Sequence, residues 1–96
     1  MLEKNFQAKL IKELKERFPD CIVMKNDPGY IQGIPDLTIL YKNKWATLEC
    51  KKKNNSSKQS NQEYYVNKMN GMSFSSFISP ENKEEVLNEL QRTFGA

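Results

Sequence analysis

The chain has 96 residues, with 15 lysines and arginines against 12 aspartates and glutamates, a formal charge of +3 and a pI near 8.9. That length allows one small domain, residues 1–96, with a single core, and the mild basicity permits a phosphate-rich partner without requiring one. Histidine is absent, which excludes imidazole bases and ligands; there is no glycine-rich phosphate loop, no apolar run of membrane-spanning length and no secretion-signal core, so a cytoplasmic protein is expected.

Leu2, Phe6, Leu10, Ile11, Leu14 and Phe18 recur at helical spacing and define one apolar arc of an amino-terminal helix. At about 100° per residue, Glu3 projects into the middle of that arc. It is either an ordinary first-turn acid or a functional one; Glu13 and Glu16 fall at the edge of the arc or outside it. Cys21-Ile22-Val23-Met24 follows as a short strand, and Asn26-Asp27-Pro28-Gly29 as a turn. Both cysteines, Cys21 and Cys50, lie in apolar segments without zinc-site spacing and are expected to be buried free thiols.

Asp36–Tyr41 and Trp45–Lys51 are rich in strand formers and are separated by the polar Lys42-Asn43-Lys44. A two-residue connection at Lys42-Asn43 pairs Tyr41 with Lys44 and, counting back, sets Asp36 opposite Glu49. Opposed residues have Cβ atoms about 4.5 to 5.5 Å apart, close enough for two carboxylates to share a divalent cation. The side-chain period of two puts Lys51 on the same face and Cys50 on the other. A three-residue connection would reverse one strand's faces and separate the acids.

Lys51-Lys52-Lys53 then enters a polar connection, Asn54 to Lys58, expected to be mobile. Gln59 to Met69 has helical character, with Tyr65, Val66 and Met69 on one face and Gln62 toward its centre; Ser60 and Glu63 have the spacing of a capping box. Phe74–Ile78 is a further strand, and Ser79-Pro80-Glu81 signals a last helix carrying Val86, Leu87 and Leu90 against the sheet. The expected fold class is α/β: a mixed four-stranded sheet flanked by helices, in the order α-β-β-β-α-β-α. The strands on either side of the Gln62 helix should be parallel.

Pro35-Asp36 followed by Glu49-Cys50-Lys51 resembles the PD-(D/E)xK nuclease superfamily, above all its small single-domain members such as virus-type replication-repair nucleases and Holliday-junction resolvases. Gly33 matches the glycine that commonly precedes Pro-Asp there. Glu3 matches the glutamate of the first helix, and Gln62 with Tyr65 matches the Gln-x-x-Tyr placement that follows the Glu-x-Lys strand, with Gln59 as the fallback. The resemblance covers Glu3 to Phe77. It implies an endonuclease-like, restriction-enzyme-type core and Mg²⁺-dependent hydrolysis of DNA phosphodiester bonds, with Mn²⁺ as a substitute. Asp36, Glu49, the backbone carbonyl of Cys50 and Glu3, directly or through water, would hold the metal; Lys51 would orient or deprotonate the attacking water. Gln62 would orient the lysine or a phosphate.

Lys52, Lys53 and Lys58, with Tyr65, are the candidate DNA contacts. No recognition domain or extended basic helix stands out, so the expectation is a structure-selective endonuclease acting on duplex or branched DNA in phage or mobile-element metabolism. Cleaving both strands from one centre per chain implies a homodimer. Two alternatives remain: a catalytically silent nucleic-acid-binding module of a replication or packaging complex, and a structural protein whose hairpin acids form ordinary ion pairs.

Overall fold

Phe6, Leu10, Leu14 and Phe18 recur every fourth residue, and in the computed structural model, which describes residues 2–96, they form the buried stripe along helix α1 (Glu3–Arg17) and its C-cap. Leu2 departs from the expected arc: it is the N-cap, lies before the first helical turn, and is 55% exposed. Three strands follow, β1 (Ile22–Lys25), β2 (Leu37–Tyr41) and β3 (Lys44–Cys50), then α2 (Ser60–Met72), β4 (Ser75–Ile78) and α3 (Lys83–Phe94). The sheet order is β1-β2-β3-β4, antiparallel except for the parallel pairing of β3 with β4 across α2. The chain is thus an α/β protein with a mixed four-stranded sheet and three helices, in the expected order.

Strand periodicity separates two chemically different faces. Leu37, Ile39, Tyr41, Ala46, Leu48, Cys50 and Ile78 point toward α1 and α3, where they join Phe6, Leu10, Leu14, Phe18, Val86, Leu87, Leu90 and Phe94 in one buried cluster. Phe18, Tyr41 and Phe94 close its end, with ring centroids 5.2 to 5.6 Å apart. The alternate residues Asp36, Thr38, Thr47, Glu49, Lys51 and Ser75 line the other face, and α2 packs over its β3 and β4 side. The sheet is thus apolar on one side and carries acids, hydroxyls and a lysine on the other, partly beneath a helix.

Several boundaries differ from the sequence expectation. The last helix starts at Lys83 with Asn82 as N-cap, not at Ser79. Ser79 is buried, and its N–H donates to Asn82 Oδ1 at 2.7 Å, so Ser79-Pro80-Glu81 forms a turn ahead of the helix. Cys21 is partly exposed rather than buried. Ile22 and Met24 of the edge strand β1 are 58% and 43% exposed, because α2 covers the opposite half of the sheet. The Asn54–Lys58 segment is not loose: Lys53 N–H donates to Ser56 Oγ at 3.1 Å, Asn54 N–H to Glu81 Oε1 at 2.7 Å, and Ser79 Oγ to Asn54 Oδ1 at 2.6 Å.

Gly33 fixes how the loop before Asp36 meets α2. Its φ is +91°, in a region that disfavours side chains, and a Cβ there would lie 2.8 Å from both Cβ and Cγ of Asn61. Gly33→Ala is therefore expected to destabilise the fold by roughly 2–4 kcal/mol, combining backbone strain with overpacking. For a domain of this size that lowers the thermal midpoint by about 10–25 °C. Circular dichroism melting checks it; a midpoint within about 3 °C of wild type would mean that the loop and helix can separate freely.

Candidate functional site

The β2–β3 turn decides whether the two acids can meet. Lys42 adopts a left-handed φ of 56°, Tyr41 pairs with Lys44, and Leu37 pairs with Leu48. One step further, Asp36 faces Glu49, as expected from a two-residue connection. Asp36 itself precedes the strand, which begins at Leu37.

The two carboxylates are interlocked through each other's strand. Glu49 Oε1 accepts from the Asp36 N–H at 3.2 Å, and Asp36 Oδ2 accepts from the Cys50 N–H at 2.9 Å. In an extended strand the N–H and C=O of one residue point to the same side, so the Cys50 carbonyl also faces the Asp36 side. Glu49 Oε2 accepts from Gln62 Nε2 at 3.2 Å and lies 3.9 Å from Lys51 Nζ. Lys51 Nζ in turn donates to Gln62 Oε1 at 2.9 Å. Gln62 therefore holds both the acid and the lysine from α2. Glu49 is 3% exposed and Lys51 9%, so this is a buried polar network, whose members depend on one another for hydrogen bonds.

The electrostatics are correspondingly tense. Burial raises the Asp36 carboxyl above its ordinary value, against the Cys50 N–H and the Lys51 charge, which lower it. Burial and then the Asp36 charge push Glu49 from 4.5 up to about 7, only partly countered by Lys51 and the Asp36 N–H. Burial also pushes the Cys50 thiol up to about 12, so it stays neutral and acts as core. Asp36 Oδ1 has no protein hydrogen bond among the described residues.

Glu3 stands in the first turn of α1, partly buried, and its charge is felt at Glu49 and Cys50. Among the described residues, however, no three acidic, cysteine or histidine side chains converge as a ready metal cage. The oxygens that could reach a cation here are those of the Asp36 and Glu49 carboxylates, with the Cys50 carbonyl beside them.

α2 is capped differently from the Ser60 and Glu63 expectation. Gln59 is the N-cap, and Gln62 Oε1 reaches back to the Gln59 N–H at 3.2 Å. The same oxygen serves Lys51, so one glutamine caps the helix and organises the site. Tyr65 is partly buried and stacks edge-on with Tyr64, with centroids 5.0 Å apart. Lys52 and Lys53 are exposed, as a phosphate contact requires. Lys58 is folded back instead: Nζ donates to the Asn54 and Ser56 carbonyls and sits 5.2 Å over the Phe77 ring.

Asn26 was legible only as a turn residue, yet it anchors the Pro-Asp segment. Its Nδ2 donates to the Pro35 carbonyl and to Thr38 Oγ1, each at 2.8 Å, and its N–H donates to the Asp36 carbonyl at 2.8 Å. An asparagine at a strand end, with four possible side-chain hydrogen bonds, is the one sequence signal that hinted at this. No protein-family model, curated protein or solved structure matches the chain. Among the described residues, no helix is long and apolar enough to cross a membrane.

Proposed function

We propose that this chain is a divalent-metal-dependent endonuclease of the PD-(D/E)xK kind, with an endonuclease-like core, acting on duplex or branched DNA. The observation that carries the reading is the facing pair of half-buried Asp36 and buried Glu49, both held in a state that disfavours their charge, beside a lysine fixed by Gln62. Two desolvated carboxylates are an unfavourable arrangement in a purely structural sheet and a favourable one around a cation. The donors are hard oxygens, two carboxylates and a carbonyl, which suits Mg²⁺ or Mn²⁺. That small set fits Mg²⁺ in particular, which keeps several waters and takes one or two carboxylates plus a substrate phosphate.

When bound, the cation would polarise the phosphoryl oxygen and stabilise the charge that develops on it. The chain's own residues supply position. Asp36 and Glu49 converge because the Asp36 N–H donates to the Glu49 carboxylate and the Cys50 N–H to the Asp36 carboxylate, tying the two strands across the site. Gln62 stops Lys51 from collapsing onto Glu49, leaving the ammonium at 3.9 Å, where it can orient the attacking water and contact a phosphate oxygen. Glu3, from α1, would approach the ion through water.

A catalytically silent binding module gains little from buried acids facing a polyanion, since they repel it. One centre cuts one strand, so double-strand or four-way-junction cleavage would take place in a homodimer. The test is incubation of the purified protein with plasmid, single strands and a four-way junction, in Mg²⁺, Mn²⁺ or chelator, beside Lys51→Ala. The expected result is metal-dependent cutting that falls on the order of 10²–10³-fold in the variant. Binding without cutting under every metal condition would overturn the reading in favour of the silent module.

A further inference from the structure

The acid pair has two different flanks. Along the sheet, Lys51 follows Glu49 on one side, while on the other the next pair on the same face is Thr38 with Thr47. Thr38 opens into a cavity of about 290 Å³, walled by Tyr30, Ile31 and Ile34 from the loop after β1 and by Met69 from α2. No lysine or arginine lines it, and its one charge is the Asp27 carboxylate. Met24 pairs with Thr38, so its exposed side chain extends this apolar surface along β1. Tyr30 is 86% exposed although its loop is pinned. The Tyr30 and Ile31 N–H groups donate to the Asp27 carbonyl at 3.1 and 3.4 Å, and Asn26 ties the two ends of the loop together through the Pro35 carbonyl and Thr38. A large aromatic face presented to water on a fixed loop is a preorganised stacking surface.

Charge decides the occupant. A phosphate is repelled by Asp27 and finds no cation on these walls, whereas every nucleobase has an apolar face that stacks on an aromatic ring. Asp27 Oδ1 accepts the Gly29 N–H at 2.8 Å, and among the described residues no donor reaches Oδ2. That oxygen is free to accept from the amino group or ring N–H of a base. Two residues of strand separate Thr38 from Asp36 by about 7 Å, comparable with the reach from a phosphate to its own base. We infer that this cavity holds one unpaired nucleobase, stacked on Tyr30, from a nucleotide whose phosphate lies at the acid pair. The inference rests on the nuclease reading and narrows its substrate to DNA with a base free of its partner beside the cut. A fully paired duplex must first release one base from its stack.

The probes are duplexes of one sequence that are fully paired, carry a single bulged base, or carry an abasic bulge, titrated against wild-type protein in chelator so that nothing is cut. The bulged base is expected to bind about tenfold more tightly than either of the others, the size of one base on an aromatic ring. The abasic bulge has the same flexible backbone, so the gain belongs to the base, and 2-aminopurine in the bulge should lose fluorescence on binding. Tyr30→Ala, at an exposed position outside the core, should bring the bulged duplex down to the abasic one with an unchanged melting temperature, whereas Tyr30→Phe should retain the gain. Equal affinity for base and abasic bulges, no binding to any of the duplexes, or discrimination that survives Tyr30→Ala would overturn the inference. Self-association abolished by Tyr30→Ala, without base discrimination, would give the surface to a second copy of the chain. Discrimination in a protein that cuts none of the duplexes in Mg²⁺ or Mn²⁺ would sink the nuclease reading and keep the pocket. Cutting without discrimination would do the reverse.

Discussion

Asp36→Asn is expected to eliminate metal-dependent cleavage, a loss on the order of 10³-fold or more, while the protein stays folded. Asparagine matches aspartate in shape, and its carbonyl oxygen can still accept the Cys50 N–H that now bonds Oδ2 at 2.9 Å. What disappears is one of two negative charges that a cation needs, and with it the charge stabilisation worth several kcal/mol in the transition state. The same change relieves Glu49, whose carboxyl is pushed up in part by the Asp36 charge. The metal-free variant should therefore melt at or above the wild-type temperature, since removing a like-charge neighbour from a buried site does not destabilise it. Activity lost together with stability would point instead to a structural role for Asp36. Cleavage at wild-type rates in Mg²⁺ would sink the assignment of this acid altogether. Calorimetry and a plasmid-nicking assay on the same preparation separate these outcomes.

The features that could be read from the chain alone were those set by local periodicity and counting. The Asp36 and Glu49 pairing followed from a two-residue turn, and the structure has Tyr41 opposite Lys44 with Lys42 in a left-handed conformation. The apolar stripe of α1 and the parallel β3 and β4 pairing are of the same kind. The misread features depend on partners far away in sequence. Ser79 has every local mark of a helix cap, but its hydroxyl is drawn to Asn54, 25 residues earlier, and the helix starts later. That same contact orders a lysine-rich loop that composition alone describes as mobile. Ser60 lost the capping role to Gln59 because Gln62 is pulled toward Lys51 and Glu49, and so reaches the Gln59 N–H as well. Asn26 anchors Pro35 and Thr38 through bonds that span 9 and 12 residues. No short window contains both ends of such a bond.

Metal affinity is expected to fall tenfold for each pH unit below about 7, reaching about a hundredfold between pH 7 and pH 5. Buried beside Asp36, Glu49 holds its proton up to about 7 rather than 4.5, and a carboxylate must lose that proton before it can ligate a cation. Asp36 is raised in the same direction, so the pair titrates as a unit with its upper step near neutrality. The sign for stability is opposite to the usual acid-denaturation case. Between the unfolded and folded pKa values the native protein binds more protons than the unfolded chain, so metal-free stability is greatest at low pH and declines as pH rises through 7. From 4.5 to about 7, the linked change is at most about 3 kcal/mol. Saturating Mg²⁺ would cancel the decline, because the cation binds the very form that high pH favours. Glu49→Gln should flatten the stability profile and weaken Mn²⁺ binding at every pH. Calorimetric titration of Mn²⁺ between about pH 5 and 8, beside melting curves over the same range, which brackets the Glu49 step near about 7, reads both slopes. An affinity independent of pH would show that Glu49 is not a ligand, and a metal-free melting temperature that rises with pH would show that its proton is not held by the fold.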